Sequence, residues 1–272
     1  MRKPNSLPPA GLFTRNGVRF AVACGVFAMI LLYLPIVGLI LLSFSAQPLT
    51  GIPWPLTIEW YTSLFEGENA RWLKPLATSV GIGLLVSFSA TAAALLIGRA
   101  VPLARRSGSL LATYLSVIVM PGILIGIAIL IFYRGLIGIR TGFWSVFLAH
   151  FIWALPFALL CILIVVVRFD RRLLDAARDL GAGRLRRFLD VELPLLMPGI
   201  SASLFFSFLL SFNELPRTLY ARGGIITLPY YLWTASSSHS TQVSLIYALS
   251  AVITVASFLL TLAAMRLLTR KE

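Results

Sequence analysis

Few side chains in this sequence can do chemistry, and their placement limits what that chemistry is. Glu214 is a carboxylate at the end of an apolar run, with Asn213 before it and Pro216 after it. An uncompensated charge is costly in hydrocarbon, so Glu214 must face a cavity, a partner or a counter-charge. Two readings follow. It is a cation site on a solute path, or it is structural, paired for example with Arg217 or held at an interface. Arg217 and Arg222 nearby weigh against a purely cationic path and suit an anionic or zwitterionic solute, or contact with another protein. Trp153, Tyr230, Tyr231 and Trp233 could offer cation–π faces to an amine, or serve as interfacial anchors and packing. His150, inside an apolar run, reads as a hydrogen-bonded interior residue. His239 has no carboxylate or cysteine near it in sequence to suggest metal. Cys24 and Cys161 lie in apolar runs, without disulfide or metal-ligand spacing. No metal site and no cofactor are expected. A nucleophile–base constellation is missing from the apolar runs, which argues against an intramembrane enzyme. The Gly-x4-Gly-Lys-Ser/Thr phosphate loop is also missing, so ATP hydrolysis by that route is excluded.

The elements that must position these residues are membrane spans. Of 272 residues, 58% are hydrophobic and only 12% charged, about half the charge of a soluble domain. Six runs are long enough to cross about 30 Å of hydrocarbon: Phe20–Phe44, Leu76–Gly98, Ser109–Tyr133, Trp144–Val167, Gly199–Pro216 and Ser244–Met265. The fold class expected is all-α and polytopic. Residues 1–19 form a tail, 20–266 the membrane domain and 267–272 a second tail. Met1–Asn16 is basic with three prolines and leads into an uncleaved first span. Pro121 and Pro156 are expected to kink the third and fourth spans. With both termini cytoplasmic, 17 of the 23 lysines and arginines lie inside, as the positive-inside rule requires. The net charge of +13 is spread over loops and forms no single basic face, which excludes nucleic acid as a partner. Residues Thr57–Phe65 of the long outer loop read as a short amphipathic helix at the interface.

The charged loop, residues 168–198, breaks this pattern. Seven arginines and five carboxylates lie between Arg168 and Glu192. Leu173, Ala176, Ala177 and Leu180 recur at helical spacing and would share one face. Gly181 can take positive φ and end that helix. A second short helix, Arg184–Val191, follows, and Pro194 and Pro198 are expected to interrupt hydrogen bonding before the fifth span. On charge alone it is a basic loop able to meet membrane lipid. Its order is Asp175-Ala176-Ala177, three residues, Gly181, nine residues, Val191, one residue, Leu193-Pro194.

That spacing resembles the EAA loop of binding-protein-dependent ABC-transporter permeases, Glu-Ala-Ala, x3, Gly, x9, Ile, x, Leu-Pro. Asp175 stands in place of Glu and Val191 in place of Ile. Leu34-Pro35-Ile36, Leu42-Ser43-Phe44-Ser45, Trp60-Tyr61, Met120-Pro121-Gly122-Ile123, Gly142-Phe143-Trp144 and Leu155-Pro156-Phe157 are similar to the spermidine/putrescine subfamily. Ser211-Phe212-Asn213-Glu214 falls where that subfamily carries a polar break. The resemblance implies a type I importer permease with six transmembrane helices in a bacterial inner membrane. It would form half of a solute path, with Glu214, Asn213, Trp153, Tyr231 and Trp233 as the residues expected along it. The implied partners are a cytoplasmic ATPase dimer gripping Asp175–Pro194, a second permease subunit making a heterodimer, a periplasmic substrate-binding protein and lipid. Polyamine is the solute expected; iron(III), a phosphonate, thiamine or a sulfonate is the alternative. A proton-coupled secondary carrier would need no such loop.

Overall fold

A computed structural model describes residues 15–237 and 243–269. His239, residues 1–14 of the first expected tail and residues 270–272 of the second lie outside the described residues. The chain divides into two compact units, Met1–Phe65 with Thr241–Thr254, and Glu66–Ser240 with Val255–Glu272.

In the first unit, α1 (Arg15–Ser43) begins ahead of the expected span and passes through Pro35 without a break. Its apolar side chains point outward in all directions: Phe20, Phe27, Leu31, Leu32 and Leu34 are exposed. A helix hydrophobic all round is the form a hydrocarbon solvent requires. The segment after it folds back on its end. The Tyr61 hydroxyl donates to Ser43 Oγ at 2.5 Å, and Trp60 Nε1–H donates to the Ser45 carbonyl at 2.8 Å. The expected amphipathic helix is the five-residue α2 (Glu59–Ser63).

The second unit starts with α3 (Leu73–Ala100), α4 (Ser107–Leu115), α5 (Gly122–Ile131) and α6 (Phe143–Val166). It continues with α7 (Arg172–Asp179), α8 (Arg184–Arg186), α9 (Leu193–Phe212), α10 (Thr218–Ala221) and α11 (Leu228–Ser237). The last helix is α12 (Val243–Thr269). Its core is the mutual packing of α3, α6 and α9. Ile82, Val86, Ala90 and Ala94 of α3 meet Val146, Ala149, Ala158, Leu159 and Ile162 of α6. On α9 the buried stripe is Gly199, Ser203, Ser207 and Ser211. Small residues let membrane helices approach closely, and their hydroxyls bond across the seam. Ser87 Oγ donates to the Leu204 carbonyl at 2.6 Å, and Thr91 Oγ1 lies 2.9 Å from Ser203 Oγ. At Gly199 an added Cβ would lie 3.0 Å from the Cys161 carbonyl and 2.9 Å from Val165 Cγ2.

Two expectations need correction. The third span is more than kinked: Ser107–Val119 and Gly122–Leu136 meet at 98°. Met120 is extended at ψ 129, the conformation a following proline enforces, and Pro121 is extended at ψ 128. The described residues therefore hold five helices long and apolar enough to span, or six if the bent pair is one span. Pro194 and Pro198 do not interrupt the fifth span, because the helix is continuous from Arg184 to Phe212. A π-helical stretch, Arg187–Glu192, precedes Pro194, and its wider turns carry the chain past the proline. The segment after Arg217 is folded as well: α10 packs on α5 and α6, and Arg217, Thr218, Thr227 and Leu228 are buried. Pro156 lies inside an unbroken α6.

Gly199→Ala drives a methyl group into the α6 backbone. It is expected to cost about 1–3 kcal/mol by overpacking, read as a lower unfolding temperature of the detergent-solubilised protein.

Candidate functional site

Two clusters of polar residues stand out from this apolar frame. The first is where α9 ends. Asn213 exposes its side chain and donates from Nδ2–H to the Leu209 carbonyl at 3.1 Å. The next residue turns inward. Glu214 and Arg217 are 6% and 4% exposed, and Arg217 Nη1–H donates to both Glu214 carboxylate oxygens at 2.9 Å. The guanidinium lies 3.8 Å from the Trp153 ring centre. Space for it exists because residue 122 is glycine: a Cβ there would sit 2.7 Å from Arg217 Nη1. Gly126 likewise admits the Arg217 carbonyl, which a Cβ would meet at 2.7 Å. The first turns of α5, immediately after the bend, therefore close over Arg217.

His150 ties the same region to α6. The Thr218 hydroxyl donates to the Glu214 carbonyl at 2.9 Å, so it accepts from His150 Nε2–H at 2.8 Å. His150 Nδ1 then accepts from Ser211 Oγ–H at 2.9 Å. Both ring nitrogens are engaged. Of the proposed path residues, Glu214 and Trp153 are thus brought together, with Arg217 between them. Tyr231 is half-buried and Trp233 exposed on α11, where Trp233 packs 5.8 Å from Tyr230. Arg222 covers the face of Tyr230 at 3.8 Å.

The second cluster is the charged loop. Asp170 Oδ1 accepts from Arg172 N–H at 2.9 Å and opens α7. Asp175 in the first turn and Arg178 in the last suit the helix dipole. The helix ends at Gly181, φ +80, with two bonds. Ala182 N–H donates to the Ala177 carbonyl at 3.0 Å and Gly181 N–H to that of Arg178 at 2.9 Å. This pair defines a Schellman cap, whose left-handed residue is glycine for steric reasons. Asp175 and Ala176 are exposed, as are Leu173 and Leu180, the latter at 88%. Ala177, Val191 and Leu193 are half-buried, and Pro194 is exposed. An apolar edge on a charged helix is thus left open.

Sequence reasoning missed one contact here. Arg99 Nε–H and Nη2–H donate to the two oxygens of Glu192 at 2.6 and 2.8 Å. Glu192 is a second carboxylate on the helix that carries the fifth span, and it is 9% exposed. The available signal was a carboxylate next to Leu193-Pro194 that needed a cation at the end of another span.

The structure is thus that of a multi-span helical protein with a capped, exposed charged helix between two of its spans. Comparison with known proteins gives that class its family. Residues 91–271 match the family described as binding-protein-dependent transport system inner membrane component, and the chain belongs to it. The spermidine/putrescine transport system permease protein PotC of Escherichia coli (strain K12) is 34% identical over 199 residues, 71% of this chain and 72% of that one. PotC of Haemophilus influenzae is 29% identical over 214 residues, 78% and 79% of the two chains. The putrescine transport system permease protein PotI of Escherichia coli (strain K12) is 28% identical over 217 residues, 75% of each. Among solved structures, a chain of the inward-facing MetNI methionine ABC transporter aligns with TM-score 0.59 at 15% identity, covering 75% of this chain and 99% of that one. The fold is therefore that of an ABC-transporter permease, and the protein is a multi-pass transport subunit.

Glu214→Gln would leave the Arg217 charge buried and unpaired, at an expected cost of about 3–5 kcal/mol. Combining it with Arg217→Met is expected to restore most of the lost stability. Thermal unfolding of the two variants in detergent checks both.

Proposed function

We propose that this chain forms half of the translocation path of an ATP-driven importer for polyamines, spermidine or putrescine. The observation that carries the solute class is the 34% identity to the Escherichia coli spermidine/putrescine permease PotC across more than two thirds of both chains. A second permease subunit completes the path, a periplasmic binding protein delivers the solute, and a separate cytoplasmic ATPase dimer supplies the energy. Both termini are cytoplasmic, in keeping with the distribution of lysine and arginine.

The charged loop is the ATPase contact. Its exposed apolar edge and the fixed end of α7 support this reading. The ATPase would receive Asp175, Ala176, Ala177 and Gly181, while Val191, Leu193 and Pro194 connect that contact to α9. Closure of the ATPase then moves the loop as a rigid body and shifts the spans on either side of it. The solute path runs past Asn213, Tyr231 and Trp233, which keep accessible surface. Glu214 and Trp153 act there together with Arg217, so the local charge is balanced. The amine groups of a polyamine would meet aromatic faces and amide oxygen along this path.

Uptake of radiolabelled spermidine by proteoliposomes holding the complete transporter is the direct test. ATP-dependent uptake, competed by putrescine, is expected; uptake that neither polyamine competes would overturn the solute class. Gly181→Asp places a side chain in a left-handed position and a charge on the docking edge. It is expected to lower uptake by about tenfold or more, equivalent to about 1.4 kcal/mol of coupling, and to reduce co-purification of the ATPase. Normal uptake with a normally bound ATPase would remove the loop from the mechanism.

A further inference from the structure

The pair Arg99–Glu192 lies where the long helix Arg184–Phe212 is least stiff. Residues Arg187–Glu192 are π-helical, a geometry wider and less well bonded than the α-helix. Two residues later Pro194 removes an N–H from the following turn. Glu192 is the last residue of the π stretch, and the α3 side chain that reaches it binds through Nε–H and Nη2–H, one to each carboxylate oxygen. The same guanidinium covers the Phe188 ring at 4.7 Å, one π-turn earlier. Arg99 thus holds the soft segment at two points.

Other support is sparse at this place. A cavity of about 360 Å³ lies between Leu174 of α7 and the ends of α3 and α6, where Leu96, Val166 and Phe169 line it. Side-chain packing therefore leaves a gap between α7 and the three-helix core. A displacement of α7 enters the core through the stretch from Arg184 to Leu193, and an unsupported π-turn followed by proline would bend under it.

We propose that the Arg99–Glu192 pair is a positioning brace, which makes α3 and α9 move together when the charged loop is displaced. This rests on the ATPase-docking role proposed for that loop. Arginine suits the task better than lysine, because two parallel hydrogen bonds fix orientation as well as distance. The Glu192 charge is carried on the moving segment, and Arg99 anchors it to the close-packed seam of α3, α6 and α9.

The test uses the whole transporter, purified with its ATPase and second permease subunit and reconstituted with its binding protein. Spermidine imported and ATP hydrolysed are measured together. Arg99→Ala combined with Glu192→Ala removes both charges, so no buried ion is left unpaired. This variant is expected to retain the ATPase and its hydrolysis, while spermidine imported per ATP falls about fivefold or more. Arg99→Lys is expected to give an intermediate ratio. The exchange Arg99→Glu with Glu192→Arg is expected to regain about half of the wild-type ratio or more, since it rebuilds a forked pair. An unchanged ratio in the double alanine variant overturns the brace. So does a proportional fall of import and hydrolysis, release of the ATPase, or an exchange variant no better than the double alanine. Should the wild-type complex bind its ATPase but import no polyamine, the solute reading fails. The brace is then read from stimulation of hydrolysis by the binding protein. An approximately fivefold loss of stimulation in the double alanine variant supports it, and undiminished stimulation overturns it.

Discussion

The seam between α3, α6 and α9 is the constraint on which the rest of the second unit depends. Lipid tails are as apolar as leucine, so hydrophobicity does not press these helices together. Close contact and hydrogen bonding must do so. Gly199 lets α9 approach the Cys161 carbonyl, and Ser87, Thr91 and Ser203 bond across the gap. Bulky side chains along that stripe would separate the three helices, and with them the platform for both polar clusters.

The same medium explains why most polar groups of the Glu214 cluster are paired, with Arg217 Nε left as a buried donor without a hydrogen-bond partner. Where α9 stops, backbone groups and an ionised carboxylate enter an apolar environment at the same point, and each needs a partner. The chain meets this with Arg217 for Glu214, Thr218 for the Glu214 carbonyl, and His150 for Thr218 and Ser211. The bend after Met120 serves the same arrangement, because it brings Gly122 and Gly126 against Arg217. A straight third span would not deliver two glycines to that spot.

Local features were legible in the sequence, and distant pairings were not. The spans follow from run length, and the cap at Gly181 from a glycine at the end of a helical repeat. Pro121 signalled a disturbance, but a proline does not encode the 98° by which the chain turns. Pro194 and Pro198 misled, since the π-turn that carries the helix past Pro194 has no residue signature of its own. Arg99 and Glu192 are 93 residues apart, and no spacing rule connects them. Glu214 posed a choice between cation site and ion pair that sequence left open. Its counter-ion lies only three residues away, yet contact depended on an irregular backbone between them.

Charge neutrality at Glu214–Arg217 also has an electrical consequence. A single ionised group displaced across the full membrane field does about 2.3 kcal/mol of work per 100 mV. A carboxylate and a guanidinium that travel as one unit do almost none. The pair itself can therefore shift with respect to the bilayer at nearly the same energy in a polarised cell and a depolarised one.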